Sequence, residues 1–372
     1  MHLMDILFLR TMPAAGLYLS LTRRCPLSCA HCSTNSMMSS EEQGAESLIR
    51  FVSTFTPSTR PDLVYLTGGE ALLRPRLVRT ITEICHAVGT KVCLLSGMFF
   101  AREDSIARQL DQTIAMVDHF TASLDIFHEQ QVSRSAVLRV LRTFVDRGQD
   151  VSIQIAGLNE NDAYLRAATN NIREYFADQV PMLVTYIKPI GRGKQWLSAQ
   201  QITKRKHQSI ATPVVEVSPS PCAVASWPVV TFNGSIVGCC NQDLVDDVDG
   251  EIAPHLQFGH VATSDWPSVH ERYLHSTLMR AIRIFGPEYT MSQYGSGKET
   301  CDGYCSTCFK LSRDSEIPTH LQPLLARPTM QFVEEKIIQL QREHFVANYG
   351  ASFYADLAQL GYASKEETEY AS

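Results

Sequence analysis

What this chain lacks narrows its possibilities first. No unbroken apolar run approaches the roughly 20 residues that a bilayer-spanning helix needs, so a membrane partner reached through such a helix is excluded. The opening Met1-His2-Leu3-Met4-Asp5 has neither the basic stretch nor the long apolar core of a secretion signal, and a cytoplasmic protein is expected. Positive charge is scarce: 33 Lys and Arg stand against 39 Asp and Glu, a formal net charge of −6. That balance argues against a nucleic-acid or anionic-membrane partner held by bulk electrostatics. No internal repeat is evident. With 44% hydrophobic and 19% charged residues over 372 positions, the chain is an ordinary globular one with room for two cores.

Cysteine, by contrast, is plentiful. Eleven in a cytosolic chain do not suggest a disulfide framework, because thiols there stay reduced and clustered ones bind metal or react. They fall into groups: Cys25, Cys29 and Cys32; Cys222, Cys239 and Cys240; Cys301, Cys305 and Cys308; with Cys85 and Cys93 apart. The first group, in Thr22-Arg23-Arg24-Cys25-Pro26-Leu27-Ser28-Cys29-Ala30-His31-Cys32, has Cx3Cx2C spacing directly after an apolar run. Thiolates are soft ligands suited to iron–sulfur clusters or zinc. A structural zinc site closes with four protein ligands, whereas three thiolates on a four-iron cluster leave one iron open. A zinc knuckle, or three unrelated buried cysteines, is the plainer reading of the spacing alone.

Apolar patterning supplies the frame around this loop. Strands are expected at Leu17-Tyr18-Leu19-Ser20-Leu21-Thr22, Leu63-Val64-Tyr65-Leu66, Lys91-Val92-Cys93-Leu94-Leu95, 119–125, 151–155 and 182–187. Helices should lie between them. One starts at Ser40, capped with Gln43 and carrying Leu48, Ile49, Val52 and Phe55 on one face; another runs from Pro75 to Gly89. Others cover 105–110, the stretch carrying Val137, Leu138, Leu141, Phe144 and Val145, and 162–176. Six strand-then-helix units predict a parallel (β/α)6 partial barrel of α/β class, its functional residues at the strand C-termini. Cys85, on a helix face, and Cys93, in a near-continuous apolar strand, read as core.

The cysteine loop resembles that of radical S-adenosylmethionine (SAM) enzymes, in which SAM's methionine amino and carboxylate groups chelate the open iron of a [4Fe–4S] cluster. Later stretches carry the same resemblance. Thr67-Gly68-Gly69-Glu70 matches the GGE element that binds the methionine amino group; glycines allow close backbone approach, and a carboxylate accepts from a cationic amine. Ser123-Leu124-Asp125-Ile126-Phe127-His128-Glu129 is similar to the end of the fourth strand, implying that Ser123 and Asp125 reach SAM or substrate. For His128 and Glu129 a capped loop is the simpler reading. Ile155-Ala156-Gly157-Leu158-Asn159-Glu160 is similar to the element near adenine and implies Gly157 and Glu160 there, although Ile153 replaces the usual glycine before it. Lys188-Pro189-Ile190-Gly191-Arg192-Gly193 resembles the turn closing the sixth strand, bringing Arg192 to the cofactor. His31 stands where an aromatic residue is common, and could stack on adenine.

Beyond a Pro- and Ser-rich loop (Pro213, Ser218, Pro219, Ser220, Pro221), two β-rich runs flank Asn233-Gly234, a hairpin signal that would bring Cys222 and Cys239 together. Cys222-x11-Gly234-x4-Cys239 and Phe258-Gly259-His260-Val261 with Asp265-Trp266 resemble the SPASM or twitch auxiliary iron–sulfur module. The resemblance implies one auxiliary [4Fe–4S] cluster held by Cys222, Cys239, Cys305 and Cys308, with Cys240 and Cys301 as alternates; the same thiols could build a zinc site. The division is then an N-terminal extension at 1–15, a barrel at 16–211, a smaller α+β auxiliary domain at 212–320 and a helical tail at 321–372. On the tail, Phe332, Val333, Ile337, Leu340 and Val346 form one apolar face ended by Gly350, read as core packing or a partner contact.

The resemblance implies a radical SAM oxidoreductase using SAM and fed by an electron donor such as flavodoxin or ferredoxin. Its expected task is oxidative modification, by crosslink or epimerisation, of a ribosomal peptide in natural-product biosynthesis. About fifteen residues precede the first strand, too few for a built-in leader-peptide domain, so a peptide substrate would need a separate recognition partner or direct docking. Dehydrogenation, epimerisation or decarboxylation of a small sugar, nucleoside or alcohol is the competing enzymatic reading. A non-catalytic zinc-binding or redox-sensing protein is the competing class.

Overall fold

The computed structural model describes residues 1–199, 217–246 and 252–362. The expected boundary at 211/212, with Pro213, lies outside the described residues. Six strands, β1 (Gly16–Ser20), β2 (Leu63–Thr67), β3 (Lys91–Ser96), β4 (His119–Ser123), β5 (Val151–Gly157) and β6 (Met182–Tyr186), pair in parallel in chain order. The α/β class and partial-barrel frame are those the patterning predicts. Leu17, Leu19 and Leu21 are fully buried on the helix side, while Tyr18 and Ser20 line the barrel's interior, as period-two alternation requires.

The sheet does not stop at six strands. β7 (Val229–Val230) joins the free edge of β1 in parallel, and β8 (Ser235–Val237) and β9 (Gln257–His260) follow antiparallel, giving the order β6-β5-β4-β3-β2-β1-β7-β8-β9. The turn between β7 and β8 carries Gly234 at φ +90°, a left-handed conformation that glycine adopts without steric cost. The opposite edge is also covered: the Ala351 amide donates to the Val184 carbonyl of β6 at 2.8 Å.

Helix 3–9, capped at His2 by a capping box with Asp5, packs Leu3, Met4 and Leu7 against Phe345 and Ala358 and sends Ile6 to Leu63, Cys93 and Trp227. Cys85 and Cys93 are core residues. The expected helix at Ser40 begins later, at Ala45 after Gly44, because the Ser40 hydroxyl accepts from the Met37 amide and turns the preceding loop instead. The expected segment at 105–110 is a helix over Arg108–Ile114. The tail face also needs correction. On helix Pro328–Tyr349, Ile337 and Val346 of the expected face do pack, but Phe332 and Leu340 are 59% and 58% exposed, and the fully buried residue is Phe345. Among the described residues, no helix is long and apolar enough to cross a membrane.

Candidate functional site

The cysteine loop is irregular because its backbone is claimed by neighbours from two strand ends. The Gly69 and Glu70 amides after β2 donate to the Thr22 and Arg24 carbonyls at 2.7 and 2.9 Å. A Cβ on Gly68 would lie 2.3 Å from the Thr22 carbonyl oxygen, and one on Gly69 2.4 Å from that of Arg24, so only glycine fits this seam. After β6, Arg192 donates its amide to the Cys32 carbonyl, Nε to the Cys29 carbonyl at 2.9 Å and Nη1 to the Ser36 carbonyl at 2.8 Å. Arg192 therefore clamps the loop.

Glu70 is buried and caps the short turn 71–73. Its Oε1 accepts from the Leu72 amide; its Oε2 accepts from the Ser96 hydroxyl and the Gly97 amide at 3.0 and 2.9 Å. Burial pushes its carboxyl up to about 7 against the pull of these donors.

At the end of β4, Asp125 is 2% exposed and joins two imidazoles. Its Oδ1 caps the next turn by accepting from the Phe127 and His128 amides. Its Oδ2 lies 2.8 Å from His128 Nδ1 and 3.0 Å from His31 Nε2. Burial alone would raise this carboxyl, yet the two histidines hold it well below the usual carboxylate range. Burial would lower His128, and Asp125 instead raises it to about 10. His31 also stacks on Phe127, with ring centroids 4.5 Å apart, so one face of the imidazole expected to meet adenine is already covered. Sequence reading left His128 as a capped-loop residue; its place three residues after an Asp that caps a helix was the available signal. Gln131, which donates to Cys29 Sγ at 3.6 Å, gave none.

A cavity of about 700 Å³ opens against these groups. Its wall includes Cys25, Cys29, His31, Cys32, Gly68, Gly69, Ser123, Asp125 and Arg192, and also Cys222, Cys239, Cys240 and Cys305 from the second half. Glu70, Cys308, Gly157 and Glu160 are not in this wall: Glu70 lies buried behind Gly68 and Gly69, a Cβ on Gly157 would strike Leu165, and Glu160 is exposed. Burial and neighbouring thiols push Cys222, Cys239 and Cys308 above the ordinary thiol range; Cys305 is among the neighbours of Cys222 and Cys308. Cys240 turns toward Arg10, and Cys301 toward the Glu288 carbonyl.

The thiols at both places are soft donors of the kind that hold iron–sulfur clusters or zinc. Burial, with Glu70 and the other two thiols, holds Cys25 up at about 12, a thiol that needs a cationic centre to ionise. Four thiolates on one zinc would stand about 3.8 Å apart, from a Zn–S length near 2.3 Å. Among the described residues, which include all eleven cysteines, the one group whose ligand atoms all lie within 4.8 Å is His31, Asp125 and His128. No three of the described cysteine sulfurs all lie within 4.8 Å of one another.

Residues 19–171 match the family model described as the Radical SAM superfamily. Among curated proteins none matches. The fold is similar to that of Streptococcus suis SuiB bound to S-adenosylmethionine, with a TM-score of 0.51 and 14% identity over 83% of this chain and 76% of that one. It is likewise similar to SuiB bound to precursor peptide SuiA, with a TM-score of 0.50 and 14% identity over 81% and 71%.

Proposed function

We propose that this chain, whose residues 19–171 match the radical SAM superfamily model, is an enzyme that oxidatively modifies a ribosomal peptide, using a second cysteine-held cluster beside the first. The observation that carries this reading is the single cavity whose wall holds cysteines from both halves. When bound at Cys25, Cys29 and Cys32, a [4Fe–4S] cluster supplies the electron that cleaves SAM to a 5′-deoxyadenosyl radical. Cys222, Cys239, Cys305 and Cys308 are the proposed auxiliary ligands.

The chain's own residues prepare that site. Gly68 and Gly69 bring bare backbone to the loop, and Glu70 holds a buried carboxyl that forms no salt bridge among the described residues, suited to an ammonium group. Asp125, through His31, and Arg192, through the Cys29 and Cys32 carbonyls, fix the loop from opposite sides. The barrel and the second half together exclude water from a reactive intermediate. Peptide as substrate is supported by the fold shared with SuiB, which is bound to precursor peptide SuiA in one structure. A small molecule is the second reading: the cavity's size is typical of small-ligand sites, and SAM would share it.

Anaerobic reconstitution, iron counting and electron paramagnetic resonance test the proposal. Two clusters are expected, with one signal shifting when SAM is added. Stoichiometric zinc with no signal would defeat it.

A further inference from the structure

Arg10 carries the most anomalous charge among the described residues. It is 2% exposed, at the C-terminal end of helix 3–9, and its guanidinium carbon lies 5.1 Å from the Tyr18 ring centre and 5.0 Å from that of Trp227. Nη2 donates to the Val224 carbonyl at 3.2 Å and contacts Cys240 Sγ at 3.3 Å. Nε and Nη1 are buried without a partner, and no described carboxylate pairs with the group. Arginine stays charged in proteins, and burying a charge without a counter-ion is strongly unfavourable. Two aromatic faces recover only part of that.

A comparison within the chain sharpens the point. Arg283, 3% exposed, also leaves Nε and Nη1 without a partner, but its Nη2 faces Glu334 at 3.4 Å, so the difference between the two buried arginines is the carboxylate. Arg10 has none. It lines the cavity that takes the cysteines, together with Tyr18 and Tyr349. Burial raises both phenols above their ordinary range, so they are neutral hydroxyls and not the missing counter-charge.

We propose that Arg10, flanked by the Tyr18 and Tyr349 hydroxyls, is an anion subsite that receives a carboxylate of the substrate. A guanidinium fork matches a carboxylate in shape as well as charge. The proposal rests on reading the cavity as the reaction chamber, and its position places the carboxylate on the side of the cavity shared by β1 and the second half.

The test is ligand-observed NMR on the reconstituted full chain, with glutarate as probe and a capped glutamate, N-acetylglutamate amide, and inorganic phosphate as competitors. Glutarate should bind wild type saturably. Arg10→Gln should weaken it by about tenfold or more, and Arg10→Lys by less. Stronger competition by the capped residue assigns the carboxylate to a peptide side chain; the reverse assigns it to a small acid. The proposal is overturned by absence of saturable binding to wild type, equal affinity in Arg10→Gln or Arg10→Lys, or phosphate outcompeting both carboxylates. The wild-type titration and Arg10→Lys decide the matter if Arg10→Gln does not fold. Failure of the radical SAM reading itself would appear separately, as a wild-type resonance signal indifferent to SAM.

Discussion

The chain contains the spacing Cx3Cx2C twice, at 25–32 and at 301–308, and the two copies fold into different things. The first is an irregular loop leaving β1, seamed to Gly69 and clamped by Arg192, and all three of its cysteines line the cavity. In the second, Cys305 and Cys308 lie on helix Tyr304–Lys310, three residues apart and so on one face. Cys301 lies upstream of Gly303, whose φ of +122° turns the chain, and its sulfur contacts the Glu288 carbonyl at 3.6 Å. Spacing alone therefore does not define a ligand set. Whatever holds the backbone between the sulfurs decides which of them converge.

The comparison can be broken by substitution. The largest effect belongs to Cys29→Ala: loss of one of three protein anchors should abolish SAM cleavage, measured as 5′-deoxyadenosine release, and retained activity would refute the assignment. At the equivalent place in the second copy, Cys305→Ala should leave uncoupled SAM cleavage measurable while substrate turnover stops. Asp125→Asn should slow SAM cleavage and destabilise the metal-free chain by about 3 kcal/mol in urea, because it leaves the His31 and His128 imidazoles without their buried partner. Mild acid should not reproduce this. Asp125 is depressed, so its contribution is complete above the ordinary aspartate value near 3.9 and is lost only as pH falls through the lower folded-state value. Smallest of all, Cys301→Ala should change neither iron content nor turnover; a lost cluster would show that the second copy converges as the first does.

The barrel was legible because its strands are short apolar runs ending at matched turns, a local signal. The same holds for the hairpin at Asn233-Gly234 and for the helix that Asp265 caps. What was not legible depended on distant partners. Ser40 with Gln43 has the form of a capping box, but its hydroxyl is taken by Met37. Helical periodicity gave the tail a face through Phe332 and Leu340, yet Phe345 packs, because Leu3, Met4 and Leu7 reach it from the other end of the chain. Gly157 and Glu160 carry a motif that the structure sets outside the cavity wall. Arg10 belongs to no motif and becomes visible only when Tyr18, Trp227 and Cys240 surround it.

The sheet's closed ends bear on how the molecule is made. β1 is covered by β7, with the Tyr18 amide donating to the Pro228 carbonyl at 3.1 Å, and β6 by Ala351. A chain halted at residue 199 has neither cover, so its six strands present two raw borders, each a template for another copy. During synthesis the first border is sealed once residues 229–230 emerge, and the second waits for residue 351. A first half produced alone would gather into aggregates rather than remain a working fragment, and the two halves are best purified as one polypeptide.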